Sequence, residues 1–259
     1  MEHDSLSSRS LWRLDTFLVP PGALEARAVT LEGSEHRHAL GAARVAPGDE
    51  VRLIDGEGAE ALALVESSTR TGATLSLLEK RTHRRDDGAR LTIAQAVPKG
   101  RGMDEVVRRC AELGVEAVLP LSTSRTIVRL RDTSVPARLE RWRSVARAAT
   151  KQSRGVFVTS VLEPMSPSDL EPRVREADLA LVAWEEERDL SLKDALRRGP
   201  ARRLLAVVGP EGGLSVEEVS SLRGWGALPV SLGRRVLRSD WAAASLATVV
   251  SHELGGLLP

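Results

Sequence analysis

The fold class predicted by this sequence is α/β: a parallel sheet domain preceded by a small β-barrel domain. Three observations carry the expectation. From Leu91 onward, short apolar runs alternate with helical segments, the pattern of strands joined by crossover helices. Leu204–Val208 is apolar without a break, as suits a strand buried on both faces. Before residue 82, short strand-like segments follow one another, separated by Asp/Gly and Thr-Gly turns.

The elements follow in order. Residues 1–12 are polar, lack the apolar core of a secretory signal, and are expected to be a disordered extension. Residues 13–82 form the expected first domain. It has a strand over Leu14–Val19, a helical stretch from Ser34, a turn at Pro47-Gly48-Asp49, and strands over Glu50–Ile54, Ala59–Glu66 and Ala73–Lys80. His36 and His38 read as an exposed helix face. Arg37 and Arg44, two helical turns apart, can share a face that contacts RNA. The polar stretch Thr82–Ala89 is the expected boundary, and its arginines read as a solvated linker.

Residues 90–259 form the second domain. Strands are expected at Leu91–Val97, Val115–Leu121, Val156–Leu162, Leu179–Trp184, Leu204–Val208 and Leu228–Leu232. Helices are expected at Met103–Leu113, with Gly114 as its C′ residue, Pro136–Gln152, Leu190–Arg198, from Ser215, and Asp240–Leu254. Ser215 and Glu218 have capping-box spacing, and Ser239 is placed to cap the last helix.

Composition narrows the function. At 42% hydrophobic and 28% charged residues the chain is an ordinary soluble protein, with no apolar run long enough to span a membrane. A single cysteine, Cys110, excludes an internal disulfide and a cysteine-clustered metal site; no metal is expected, and the cytoplasm is the expected compartment. A net charge of +1 does not announce a nucleic-acid binder, and an absence of tyrosine with two phenylalanines argues against an aromatic stacking platform.

Chemistry concentrates near the C-terminus. Gly209-Pro210-Glu211-Gly212-Gly213 follows one apolar strand, and Leu232-Gly233-Arg234-Arg235-Val236-Leu237-Arg238 follows another. Two glycine-bearing loops at the carboxyl ends of strands, one helix apart, lie where open α/β sheets bind ligands. Taken by itself, GPEGG reads equally as a plain strand-to-helix turn. An anion cradle is a further reading, but the loop lacks the Lys-Ser/Thr of a P-loop and the spacing of a dinucleotide fingerprint.

The two loops together, GPEGG–S–x–x–E and LGRRVLRSD ahead of a small-residue helix, resemble the C-terminal signature of the RsmE-type 16S rRNA uridine-N3 methyltransferases, of the SPOUT superfamily. Further matches are His38–Asp49, Lys99-Gly100, Glu112-Leu113-Gly114-Val115, Ser124-Arg125 and Gln152-Ser153-Arg154. The sequence departs at Ser239-Asp240-Trp241, where the family reads Thr-Glu-Thr; Trp241 is the odd residue.

The resemblance implies a trefoil-knotted domain binding S-adenosylmethionine, a PUA-like first domain, a homodimer, and 16S rRNA within the 30S subunit as partner. It implies cofactor contacts at Ala183, Gly209, Glu211, Gly212, Gly213, Leu232 and Leu237, with Trp184 a weaker candidate. Arg238 and Asp240 are the candidate catalytic pair. Arg238 would hold uracil carbonyls or a phosphate, or be tied up in a salt bridge; Asp240 would take a proton, orient Arg238, or sit exposed at the helix start. The candidate RNA contacts are Arg37, Arg44, Lys99, Arg101, Arg125, Arg154 and Arg234. A catalytically inactive RNA-binding protein retaining the fold is the alternative function.

Overall fold

A computed structural model describes residues 11, 13–85, 89–126 and 134–254. Apart from Leu11, the expected N-terminal extension over residues 1–12 lies outside the described residues, as does part of the expected linker. The chain divides into two compact units. One spans Met1–Arg85 together with Thr150–Val158, and the other spans Asp86–Ala149 together with Thr159–Pro259.

The first unit is a five-stranded mixed sheet. Its strands are β1 (Thr16–Leu18), β2 (Ala28–Leu31), β3 (Glu50–Ile54), β4 (Ala59–Ser68) and β5 (Ala73–Thr82), in the order β1-β3-β4-β5-β2. β1 pairs with β3 in parallel, and the other pairs are antiparallel. Register shifts at Leu62/Ala63 and Val65/Ser67 put bulges in the long β4–β5 hairpin, which sharpens its coil. Phe17, Leu24, Leu53 and Leu75 are fully buried in the core the sheet encloses. β2 had no strand expectation, although its alternating burial is the ordinary period-two signal.

Helix α1 (Gly33–Leu40) is shorter than the SEHRHALGAARV pattern suggests. The backbone leaves the helix at Gly41, and Arg44 adopts a positive φ of 53°. Arg37 and Arg44 therefore do not lie on one helical face. His36 corrects a second expectation: it is buried at 3% exposure, whereas His38 is exposed and meets the Phe17 ring edge-on, with centroids 5.6 Å apart.

The second unit is a six-stranded sheet, parallel at every pairing. Its strands are β6 (Arg90–Ala96), β7 (Ala117–Leu121), β8 (Ser160–Val161), β9 (Leu179–Ala183), β10 (Arg203–Val208) and β11 (Leu228–Val230), in the order β11-β9-β10-β6-β7-β8. The chain moves outward from β6 through β8, then places β10 on the other side of β6. The adjoining carboxyl ends of β6 and β10 are thus a topological switch point, where such sheets bind ligands.

The helices are α2 (Gly102–Glu112), α3 (Val135–Gln152), α4 (Glu171–Glu176), α5 (Leu192–Leu196), α6 (Val216–Gly224) and α7 (Ser239–Glu253). α7 packs on α2 and α5 and on strands β6 and β10. Gly114 ends α2 with φ 70°, as its C′ position requires. At α6 the capping box forms in full: Ser215 Oγ accepts from the Glu218 amide at 3.2 Å, and the Ser215 amide donates to Glu218 Oε2 at 2.9 Å.

The strand expected at Val156–Leu162 is divided between the units. Only Ser160–Val161 joins the parallel sheet. Phe157 instead bridges to Glu57, and the Val158 amide donates to the Gly56 carbonyl at 2.9 Å. A Cβ on Gly58, whose φ is 115°, would lie 2.6 Å from the Phe157 ring, so glycine is what admits the phenylalanine.

Candidate active site

The site begins with β10, whose buried apolar run places Gly209 at the carboxyl edge of the sheet. The Pro210 carbonyl accepts from the Gly213 amide at 2.9 Å, which closes a tight turn. Gly213 takes φ 71°, and a Cβ there would overlap the Glu185 carboxylate. A Cβ on Gly209 would lie 3.0 Å from the Gly213 carbonyl carbon and 3.1 Å from the Leu214 nitrogen. The two outer glycines thus answer separate needs, one for conformation and one for close backbone approach.

A buried network anchors this loop from below. Ser239 Oγ donates to the Gly209 carbonyl at 2.6 Å, and Gln95 Nε2 donates to Ser239 Oγ and to the Ala96 carbonyl, both at 2.8 Å. Gln95 is fully buried on β6, and its Oε1 has no hydrogen-bond partner among the described residues. Ser239 corrects the expected cap. The N-cap of α7 is Arg238, without a side-chain cap bond, and the Ser239 hydroxyl is turned inward onto Gly209.

A cavity of about 300 Å3 opens above these loops. β9 supplies Ala183 and leads into Trp184 and Glu185; β10 and its loop supply Val208, Gly209, Glu211 and Gly213. The loop after β11 supplies Ser231, Leu232 and the run Arg235–Ser239. Six of the expected cofactor residues therefore converge: Ala183, Gly209, Glu211, Gly213, Leu232 and Leu237. Gly212 does not line the cavity. It lies against Arg125, whose Nη1 donates to the Gly212 carbonyl at 2.7 Å.

Arg238 lines the cavity with its side chain 81% exposed, and its Nε lies 3.3 Å from Asp240 Oδ1. Asp240 is buried, not exposed at the helix start. Its Oδ2 accepts from Arg109 Nη1 at 2.9 Å, so two guanidinium groups compensate the carboxylate's burial. The Trp241 ring is stacked under the Arg109 guanidinium, 4.4 Å from centroid to Cζ, and does not line the cavity. The sequence's departure at this residue leaves the pocket open.

Among the candidate RNA contacts, Lys99, Arg101, Arg125 and Arg234 are exposed on the second unit. The Lys99 amide donates to Glu211 Oε1 at 3.0 Å, joining the loop after β6 to the loop after β10. Arg154 departs from its expected place on the catalytic half: it belongs to the first unit, where its Nη1 donates to the Leu14 carbonyl at 2.8 Å. Arg37 and Arg44 are exposed on that same unit.

Glu185, Ser231, Arg109 and Gln95 were not singled out from the sequence. Gln95 carried a usable signal, as the one amide in the otherwise apolar β6 run. Glu185 sits in an acidic stretch that reads as a solvated surface. Among the described residues, no group of His, Cys, Asp and Glu is gathered to hold a metal, and no helix is long and apolar enough to cross a membrane.

Apolar walls with two carboxylates, Glu185 and Glu211, and two guanidinium groups, Arg235 and Arg238, set at the carboxyl ends of parallel strands, make a site for a small molecule with both apolar and polar parts. The comparisons agree with that class. A family model described as the RNA methyltransferase domain matches residues 85–251. The chain belongs to this RNA methyltransferase family.

Among its relatives, ribosomal RNA small subunit methyltransferase E of Mycobacterium tuberculosis is 34% identical over 217 residues, covering 83% of this chain and 82% of that protein. The Bacillus subtilis protein of the same name is 28% identical over 236 residues, covering 88% and 91%. The Neisseria gonorrhoeae enzyme of that name, solved bound to S-adenosyl methionine, superposes with a TM-score of 0.81 at 26% identity, covering 92% of this chain and 97% of that one. A methyltransferase from Legionella pneumophila in complex with the same cofactor gives 0.83 at 25% identity, covering 93% and 98%.

Proposed function

We propose that this protein methylates N3 of a uridine in 16S rRNA of the small ribosomal subunit, using S-adenosylmethionine held in the cavity between the 209–213 and 231–239 loops. The observation that carries the reading is the convergence of six expected cofactor residues on one cavity with apolar walls and two carboxylates, Glu185 and Glu211, beside the guanidinium groups of Arg235 and Arg238.

The residues suit that cofactor. Val208, Leu232, Leu237 and Ala242 offer apolar walls to adenine, and main-chain groups of both loops offer donors and acceptors to its edge. Glu185 and Glu211 face the cavity with negative charge, suited to ribose hydroxyls and to a cationic centre. The cofactor supplies an already activated methyl group, so the protein's task is alignment and exclusion of water.

A neutral uridine N3–H is a poor nucleophile. Arg238, exposed at the rim, donates to the uracil carbonyl oxygens and stabilises the charge that develops there as the N3 proton departs. Asp240, fixed by Arg109, orients Arg238 rather than accepting the proton. Methyl transfer would exchange the S–CH3 bond for an N3–CH3 bond, with the N3 proton released to solvent at the exposed rim, leaving methylated uridine and S-adenosylhomocysteine. The base must first leave any pairing that hides its Watson–Crick edge.

Finer expectations belong to the same proposal. The first unit acts as a PUA-like barrel that binds RNA through Arg37 and Arg44, supported by its five strands around one core. The second forms a SPOUT trefoil knot, supported by the Ser191–Ser231 bridge and by the packing of α7 behind it. A homodimer is supported by Val236, 85% exposed, and Trp241, 53% exposed, at the start of the last helix. The working compartment is the cytoplasm, where 30S subunits are found.

The test is methyl transfer from radiolabelled S-adenosylmethionine to 30S subunits of a strain lacking this gene, with mass spectrometry of the rRNA. One added methyl on a uridine base is expected, abolished by Arg238→Ala. An inactive RNA-binding protein would bind the subunits and leave the rRNA mass unchanged.

A further inference from the structure

A second cavity, of about 310 Å3, lies in the same unit beside the 98–102 loop. It is lined by Val97 at the end of β6, Gly100 and Arg101 of the following loop, Met103 and Asp104 of α2, and Arg138, Arg141 and Trp142 of α3. Three arginines and one aspartate give it a net charge of +2. Only one pair is settled: Arg141 Nε donates to both Asp104 oxygens at 3.1 Å, and Asp104 is buried. The indole of Trp142, 5% exposed, forms the floor.

Arg101 and Arg138 have no carboxylate partner among the described residues. Arg138 stands three residues before Arg141 on one helix, and Asp104 is committed to Arg141. Two uncommitted guanidinium groups walling one cavity match the oxygens of a phosphate, which accepts several charge-assisted hydrogen bonds at once. The location adds direction. The loop that supplies Arg101 also supplies Lys99, whose amide is bonded to Glu211 of the first cavity.

We infer that this second cavity is a subsite for a backbone phosphate of the RNA substrate, held by Arg101 and Arg138, a few loop residues from the methyl-transfer site. The subsite fixes the strand while the flipped uridine is presented to the donor, and it rests on the RNA-methyltransferase reading given above. Arg141 is a positioning residue here, since it neutralises Asp104.

The experiment compares the wild type with Arg101→Glu, Arg138→Glu and the charge-preserving Arg138→Lys in steady-state methylation of 30S subunits. RNA binding is measured over roughly 50 to 300 mM salt, a range in which phosphate contacts are resolved. Each reversal should raise the KM for RNA on the order of tenfold, with kcat and the affinity for S-adenosylmethionine retained. The slope of log K against log salt should fall by about 1, and Arg138→Lys should keep most of it. Neither arginine has a carboxylate partner among the described residues, so unchanged thermal melting is expected, and circular dichroism checks it.

Reversals that leave KM and salt slope at wild-type values would overturn the subsite. So would competition at this cavity by inorganic phosphate or uridine monophosphate without any change in RNA affinity, which would mark a free-anion site. A wild type that fails to bind S-adenosylmethionine or to methylate 30S subunits would instead sink the function itself, so the two failures are distinguishable.

Discussion

Replacing Ser239 with alanine should loosen the donor cavity at its base, where the hydroxyl is turned inward onto Gly209. The hydroxyl bridges two buried groups, the Gly209 carbonyl at 2.6 Å and the Gln95 amide at 2.8 Å. Neither is stranded by its loss: Gly209 keeps Gln95 Nε2 at 3.3 Å, and Gln95 keeps the Ala96 carbonyl at 2.8 Å. The cost should therefore fall in the lower half of the range for a buried hydrogen-bond deletion, about 1.5 kcal/mol. In a protein of this size that lowers Tm by roughly 3–6 °C. If about 1 kcal/mol of it reflects the position of Gly209, the Kd for S-adenosylmethionine rises about fivefold. Differential scanning fluorimetry and calorimetry read the two quantities. A cycle with Gln95→Leu isolates the pair, and a coupling of about 1 kcal/mol is expected. The leucine also removes an unpartnered Oε1, so the single Gln95 variant should cost less than its three hydrogen bonds suggest. Additive single effects, or unchanged donor affinity in Ser239→Ala, would refute the idea that this network sets the loop.

The two loop glycines should respond differently to alanine. Gly213→Ala imposes φ 71° on a side chain, about 1–2 kcal/mol, while the Glu185 carboxylate can swing aside; Gly209→Ala meets rigid backbone and should damage donor binding more, as calorimetry on both variants will show. Burial pushes the Cys110 thiol up to about 12, so iodoacetamide at mildly alkaline pH should leave the native protein unlabelled and label it in urea. Burial raises the Glu60 carboxyl, but His83 and Arg52 outweigh it and hold it below the ordinary 4.5. The stability this contributes is complete above pH 4.5 and is lost as acid carries the pH down through the folded value, so Glu60→Gln should flatten the acid limb of stability. The same variant leaves the Arg52 guanidinium, 5% exposed, without its carboxylate, at a cost of about 3 kcal/mol at neutral pH by thermal melting.

Much of the second unit was legible because its strands obey one simple rule. A strand buried on both faces is mostly apolar: Leu204–Val208 is so without a break, and Leu91–Val97 is so apart from Thr92 and Gln95. Capping followed the same logic at Ser215, where residue type and spacing decide the geometry locally. Ser239 looked identical in sequence, yet its hydroxyl faces Gly209 because a buried carbonyl one strand away needs a donor more than the helix start does. That competition is tertiary, and no local pattern records it. His36 and Asp240 misled for the same reason: a polar residue on a helix reads as exposed until its partners fold around it. The Val156–Leu162 run carried one apolar pattern but serves two units, a division set by the fit of Phe157 against Gly58. Glycine content marked the 209–213 loop as a candidate site, while the separate surroundings of Gly209, Gly212 and Gly213 emerge only from the contacts.

The central claim is that the cavity between the two C-terminal loops holds the methyl donor. Titration of S-adenosylmethionine into the wild type and into Leu232→Trp, which fills the cavity from its apolar wall, tests it most directly. Saturable binding by the wild type, lost in a Leu232→Trp protein that still melts cooperatively, is the predicted result. Equal affinity in both proteins would place the donor elsewhere and contradict the account.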